Sequence, residues 1–336
     1  MNSWEPQIKE FNFVDYLLNV KEIHPSYKYD IMCKITTMNR SVFLIFVLLV
    51  ILMSPLTFPH NLISLAQAQQ HSGVNLGSSN NVTDLLQSNN QNSSTLLENK
   101  TVNYFGNASG YLVYPAALSS SSSMKNNTNV NNNTLSGVVM IHENKGLNDN
   151  IKNMANLLAK QGYVVLAVDL FNGEVTTDQK RASELSQAIR DNPDPAITNL
   201  KSAVKYLAAL PNVNPEKIAS LGWCFGGQQS LQLALNSEDH PLAATVIYYG
   251  RLVTEPETLS KINWPVLGIF GDQDESIPVP TVEQFEDALT KNGITNEIYI
   301  YKGVGHAFAN PSGDNYAPNE TKGAWQKTLS FLNKYL

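Results

Sequence analysis

Three side chains in the last third of the chain are of the types that acyl transfer needs. Cys224 lies in Gly222-Trp223-Cys224-Phe225-Gly226, directly after the apolar run Ile218–Leu221. G-x-C-x-G between a strand and a helix is the nucleophile-elbow pattern, with cysteine in place of serine. The turn is so sharp that its flanking positions need glycine. A helix opening at Phe225 would aim its amino end at the sulfur, favouring thiolate over thiol and stabilising an oxyanion. The competing explanation is a small buried hydrophobe, the usual fate of a free cysteine. Position, glycine pattern and strand–helix context together favour the nucleophile.

A thiol nucleophile needs a base and an acid to orient it. Two histidines follow Cys224. His240 lies in the polar stretch "NSEDHPL" and is expected to be solvated. His306 lies in "YKGVGHAFAN", just past the strand-like run ending at Tyr301, where a base belongs. The stretch "VLGIFGDQDESIP" supplies Asp272, Asp274 and Glu275. Asp274 has the G-x-x-D-x-x-x-P placement and is preferred as the acid, with Asp272 expected to cap the turn. The chain order nucleophile, acid, histidine is that of an α/β-hydrolase.

These residues require a sheet that presents strand ends on one side. Val138–His142, Tyr163–Asp169, Lys217–Leu221, Thr245–Tyr249, Pro265–Phe270 and Glu297–Tyr301 read as strands, several of them β-branched runs suited to burial on both faces. Tyr111–Pro115 reads as an edge strand. Ile151, Met154, Leu157 and Leu158 form a helical stripe that Asn148 or Asp149 can cap and Gly162 can end. A second stripe runs through Ile197, Leu200, Val204 and Leu207, and further helices are expected near Val282–Lys291 and Lys322–Tyr335. Strand and helix alternating in this way predict one α/β catalytic domain over 101–336, a mainly parallel sheet with helices on both faces. Ligands bind at the carboxyl ends of such strands, where all the candidates fall.

Composition narrows the function classes. The chain has 336 residues, a net charge of −6 and 15% charged residues, with no basic stripe, so nucleic acid is not an expected partner. Its two cysteines make no disulfide framework, and no Cys/His cluster has zinc spacing, so neither metal nor cofactor is expected.

Val42–Met53 is an apolar run of 12 residues preceded by Arg40, with a small-x-small site ending at Ala68. That length suits a secretory signal (38–68) better than a spanning helix, the alternative being an uncleaved amino-terminal anchor. An extracytoplasmic protein is expected, in contact with a membrane only if the segment stays. Translation is expected to begin at Met38, leaving 1–37 as a misassigned extension. Residues 69–100 are rich in Asn, Ser and Gln and read as a disordered linker. A similar tract at 119–134 reads as a loop inserted in a hairpin. N-x-S/T sequons stand at Asn81, Asn92, Asn99, Asn107, Asn126, Asn132 and Asn319, and Asn-rich text produces such sequons by chance. A monomer is expected.

From about Tyr104 to Leu336 the chain resembles the dienelactone hydrolase family of α/β-hydrolases. The resemblance rests on "VVMIHENKGLN", "VLAVDLF", "LGWCFGGQ", "IYYG", "GDQDESIP" and "GHAFAN", in family order. It implies that Cys224, Asp274 and His306 form a triad acting on a carboxylic ester or lactone through a thioester. It implies that Glu143 is the active-site glutamate that engages the resting cysteine. It also implies that the backbone N–H groups of Phe225 and Asn144 form the oxyanion hole.

The chain departs from the family where substrate carboxylate is bound. Two arginines used for that purpose fall at positions occupied here by Asn310 and Gly173. Lys145 and Arg251 are the candidate substitutes. With both usual charges absent, neutral esters or lactones are expected to react better than their carboxylate-bearing analogues. Two other classes compete: a weakly active α/β-hydrolase-fold protein binding a small molecule in the same cleft, and a thiol redox protein. The intact Cys/Asp/His set argues against the first, and the lack of a resolving cysteine after Ala68 argues against the second.

Overall fold

The β-branched runs become the strands of one eight-stranded sheet in a computed structural model, which describes residues 95–116 and 134–336. The expected signal or anchor, the leading extension, the linker up to residue 94 and the tract 117–133 lie outside the described residues. In chain order the strands are β1 (Leu97–Phe105), β2 (Ala108–Pro115), β3 (Leu135–Ile141), β4 (Val164–Val168), β5 (Val213–Trp223), β6 (Ala244–Tyr248), β7 (Val266–Gly271) and β8 (Asn296–Tyr301). Their order across the sheet is β1-β2-β4-β3-β5-β6-β7-β8. The β1–β2 and β2–β4 pairs are antiparallel, and all the others are parallel.

The strands alternate their side chains between two apolar layers, as a period of two requires. Val139 and Ile141 of β3 face one layer with Val164, Leu166 and Val168 of β4, while Val138 and Met140 face the other with Val165 and Ala167. Helices α1 (Asp149–Ala159) and α7 (Pro318–Tyr335) cover the second layer through Ile151, Leu158, Trp325 and Phe331. Helices α3 (Asp194–Ala208), α4 (Phe225–Leu235) and α6 (Val279–Lys291) cover the first through Leu200, Leu231 and Phe285. The Asn148 side chain accepts from the Ile151 N–H at the start of α1, and Gly162 takes φ 98° just past its end. Helix α2 (Gln179–Asp191) and the short α5 (Pro256–Leu259) complete the set.

Three expectations change. β1 begins at Leu97, inside the stretch read as linker, because antiparallel pairing from Leu97↔Pro115 onward satisfies its backbone. β2 is therefore no edge strand: β1 covers one side of it and β4 the other. The tract 119–134 does not interrupt a hairpin, since β4 stands between β2 and β3. Helix α2, for which no expectation was set, turns Ala182, Leu185 and Ile189 toward the first layer at helical spacing.

The parallel strands run with their amino ends together. Antiparallel β2 brings Pro115 to that same end, and β1 brings Leu97 there beside it. The chain terminus arrives there too, where the Ser136 hydroxyl donates to the Leu336 carbonyl and the Lys217 ammonium to that of Tyr335. Among the described residues, no helix is long and apolar enough to cross a membrane.

Candidate active site

The sheet reverses its winding at β3, whose neighbours are β4 on one side and β5 on the other. A crevice opens at such a switch point, outside the carboxyl ends of the strands. Cys224 follows β5 there, at φ 54° and ψ −116°, angles that cost a non-glycine residue about 1–3 kcal/mol. Its N–H donates to the Tyr248 carbonyl at 3.0 Å, which ties the strained residue to β6. The flanking glycines are sterically required. A Cβ on Gly222 would stand 2.2 Å from the Gly226 oxygen, and one on Gly226 would stand 2.3 Å from the Ile141 oxygen. Phe225 opens α4, so its N–H has no acceptor within the helix and faces the crevice end of the sheet.

His306 follows β8, and its Nε2 lies 3.0 Å from Cys224 Sγ. Its Nδ1 lies 2.7 Å from Asp274 Oδ2. A carboxylate can only accept, so Nδ1 carries a hydrogen and Nε2 is the nitrogen that exchanges a proton with sulfur. Asp274 is itself held, since Oδ1 accepts the N–H of Ser276 at 2.8 Å and of Ile277 at 3.0 Å. Burial would lower the imidazole's pKa, but the hydrogen bonds to Asp274 and Cys224 outweigh it and hold His306 at about 10. For Asp274 burial acts upward, yet the same histidine and the two N–H groups keep the carboxyl below its ordinary value. Asp272, the competing acid, accepts the Gly303 N–H at 2.7 Å and caps the turn. His240 is exposed, as expected.

Glu143 stands past the end of β3, 4% exposed. The expected contact with the resting cysteine is absent: the sulfur is taken by His306, and Glu143 Oε2 accepts from the Asn310 amide. Burial raises the Glu143 carboxyl to about 7, against the opposing pull of His306, Lys145 and Asn310. The preceding His142 is fully buried between the rings of Phe171 and Phe225. Its Nε2 accepts the Leu170 N–H at 3.1 Å, so it is a neutral structural imidazole.

A cavity of about 150 Å³ opens at the sulfur, lined among others by Cys224, Phe225, His306, Tyr249, Arg190 and Arg251. Arg251 was a candidate from the sequence. Arg190, on α2, was not, although it directly follows Ile189 of that helix's core-facing stripe. Arg190 is fixed by Gln228 Oε1 at 3.0 Å and Ser186 Oγ at 3.3 Å, both neutral acceptors. Burial and the neighbouring Arg251 charge both push its pKa down. Neither guanidinium forms a salt bridge among the described residues. Tyr249, in "IYYG", takes φ 34° with its hydroxyl buried, and its ring packs edge-on against His306 at 5.3 Å.

The remaining candidates lie around this cavity. Asn144 is half-buried and lines an open hollow of about 650 Å³ against α2, which Arg190 also borders. Lys145 is half-buried on the same loop, its carbonyl accepting the Thr176 N–H at 3.2 Å. Asn310 corrects its expectation as a substrate-binding group: it is 7% exposed and committed to Glu143. At the other departure, the Gly173 N–H donates to the Asp169 carboxylate. No cluster of metal-ligating side chains occurs among the described residues.

Known proteins resemble much of this chain. The model of the dienelactone hydrolase family matches residues 126–336. A Saccharolobus solfataricus protein provisionally named a carboxymethylenebutenolidase is 29% identical over 231 residues, covering 59% of this chain and 88% of its own. A Bradyrhizobium protein provisionally named a 2-oxo-3-(5-oxofuran-2-ylidene)propanoate lactonase is 28% identical over 213 residues, with coverages of 60% and 85%. Among solved structures, a dienelactone hydrolase-like promiscuous phosphotriesterase from metagenomic libraries superposes with a TM-score of 0.62 at 23% identity, covering 71% of this chain and 98% of the other. That likeness shows the α/β-hydrolase fold.

Proposed function

We propose, for a chain that belongs to the dienelactone hydrolase family, that it hydrolyses a carboxylic ester or lactone through a thioester on Cys224. The observation that carries this reading is the single imidazole bridging sulfur at 3.0 Å and carboxylate at 2.7 Å. Lactonase and carboxymethylenebutenolidase relatives support the substrate class.

The steps follow from the parts. His306 Nε2 takes the thiol proton, and the thiolate attacks the carbonyl carbon to form a C–S bond. The oxyanion rests on the N–H groups of Phe225 and Asn144. Collapse breaks the acyl C–O bond, and His306 returns its proton to the leaving oxygen. In a lactone that oxygen stays tethered to the acyl chain. Water then attacks the thioester with His306 as base, releasing the acid and restoring sulfur. Asp274 keeps the imidazole in the tautomer both half-reactions need.

Arg190 and Arg251 turn the expectation about substrate charge. Two guanidinium groups beside the nucleophile, neither in a salt bridge among the described residues, favour an ester or lactone bearing an acidic group near its carbonyl. An extracytoplasmic location is supported by the apolar run Val42–Met53 and the Ala68 site.

Cys224→Ala, measured on a panel of acidic and neutral esters and lactones, tests the mechanism. Hydrolysis should vanish with the fold intact, and wild-type protein trapped with a slow ester should gain the acyl mass on Cys224. Undiminished turnover in the purified variant would overturn the reading.

A further inference from the structure

The cavity at the sulfur is small for a whole substrate. Its volume of about 150 Å³ equals that of about five liquid waters at about 30 Å³ each, whereas ligand pockets commonly run to about 300–1,000 Å³. A reacting carbonyl and a short substituent fill it. A larger ester continues where the neighbouring hollow begins. Asn144, whose N–H is assigned to the oxyanion, lines that hollow of about 650 Å³ against α2, and Arg190 lines both spaces.

The order of bond breaking decides which half of the ester goes where. His306 must return its proton to the leaving oxygen, and among the described residues that line the two spaces His306 belongs to the cavity. The alcohol half therefore takes the cavity. With sulfur bonded to the carbonyl carbon and the oxyanion on the N–H groups of Phe225 and Asn144, the acyl chain is left to pass Asn144 into the hollow.

The walls of the hollow set the chemistry of that chain. Among the described residues that form it, only Ala188 is apolar. Glu184 and Asp191 bring two carboxylates and Gln187 an amide, all three exposed on α2. Gln187 gives one amide hydrogen to Asp191 Oδ1 at 2.7 Å, and Glu184 Oε2 accepts from Arg181 at 3.2 Å. A carboxylate has about four lone-pair sites, so both keep acceptors for hydroxyl hydrogens. An alkyl chain gains little here, because it finds almost no apolar surface on which to leave water. An anionic chain meets two like charges.

We propose that the hollow between Asn144 and α2 is the acyl subsite, and that it takes a neutral, hydroxyl-bearing chain. This rests on the reading of Cys224 as an ester-cleaving nucleophile and adds the class of acid released, a hydroxylated carboxylic acid. The acidic group favoured by Arg190 and Arg251 then belongs to the alcohol half, in the cavity.

The experiment compares two neutral methyl esters that differ only in hydroxyl against methyl, namely methyl 2,3-dihydroxypropanoate and methyl 2-methylbutanoate. Each kcat/KM of the full-length protein is divided by that ester's own rate constant with hydroxide, which removes the intrinsic activation by the hydroxyls. The corrected ratio should favour the dihydroxy ester by about tenfold, the worth of one or two neutral hydrogen bonds. Gln187→Leu combined with Asp191→Leu should bring the ratio to about one or below. Should the double variant fail to fold, Gln187→Leu alone, a good helix former at an exposed helical position, should move the ratio in the same direction.

Methyl acetate, whose acyl group stops short of the hollow, separates this inference from the reading beneath it. Turnover of methyl acetate with a wild-type ratio near one would overturn the subsite alone, and so would a ratio unmoved in the folded variants. No turnover of any of the three esters would remove the nucleophile reading, and the subsite with it.

Discussion

Asp274→Asn is the most informative single substitution, because the surrounding hydrogen bonds dictate its outcome. The wild-type carboxylate accepts three times: from Ser276 and Ile277 N–H on Oδ1, and from His306 on Oδ2. An asparagine must keep its oxygen toward the two backbone donors, so its NH₂ faces His306 Nδ1. That nitrogen then has to accept, and the ring hydrogen moves to Nε2, against the sulfur. In this tautomer the imidazole cannot take a proton from thiol or from water. Restoring the working tautomer means turning the amide over, which strips two backbone N–H groups of their acceptor at about 1–3 kcal/mol each. Adding the lost attraction between imidazolium and carboxylate gives a barrier increase of about 4–6 kcal/mol, or roughly 10³- to 10⁴-fold in kcat/KM. The corresponding change in a serine triad has a similar effect, about 10⁴-fold. An acidic thiol offers only partial escape, since water attacking the thioester still needs a base. The assay is kcat/KM for a chromogenic ester from pH 6 to 10, beside Asp272→Asn, which alters only the Gly303 turn. A loss under about tenfold for Asp274→Asn, or a larger loss for Asp272→Asn, would refute the tautomer argument.

Arg190→Gln and Arg251→Gln should each lower kcat/KM for an acid-bearing ester by about 10- to 150-fold, the worth of one charge-assisted contact. The neutral analogue should be nearly unaffected, and an equal fall in both would remove the anion-binding role. Conformational stability should also depend on pH through His306. Its folded-state pKa of about 10 exceeds the ordinary 6.5, so the stabilisation is complete below about 6.5 and is lost as pH rises toward 10. Thermal midpoints across that window should fall less steeply in Asp274→Asn than in wild type. A chain beginning at Leu96 should fold and turn over substrate. One beginning at Ala108 should melt earlier, because it loses Val102 and the Tyr104 hydroxyl that donates to Asn199 at 2.7 Å.

The geometry of the candidate site was more legible than its surroundings. Cys224, Asp274 and His306 could be read because each stands at a fixed offset from glycine or proline after an apolar run, a purely local signal. The pairing of β2 with β1 and β4 could not, because which strands meet is decided over tens of residues. Arg190 was hidden for a related reason: Ala182, Leu185 and Ile189 mark the core-facing side of α2, but the cavity beside Arg190 is completed by residues from distant segments, among them Gln228 and Arg251. Asn310 was legible as a missing charge but not as a donor. Its partner Glu143 lies 167 residues away, and only the folded sheet brings the two loops together.

The position of the chain ends has a practical meaning. Leu97, Pro115 and Leu336 all gather at the amino-terminal pole of the parallel strands, while Cys224 and His306 occupy the opposite pole. Whatever is joined directly at Leu97 or Leu336, be it a fusion partner or a resin, grips the domain from behind. The mouth of the cavity would then point outward into the medium, open to a diffusing substrate rather than pressed against the support. Immobilisation through Leu336, or through Leu97 of a shortened chain, should accordingly preserve turnover, whereas coupling through side chains near Arg251 should occlude it.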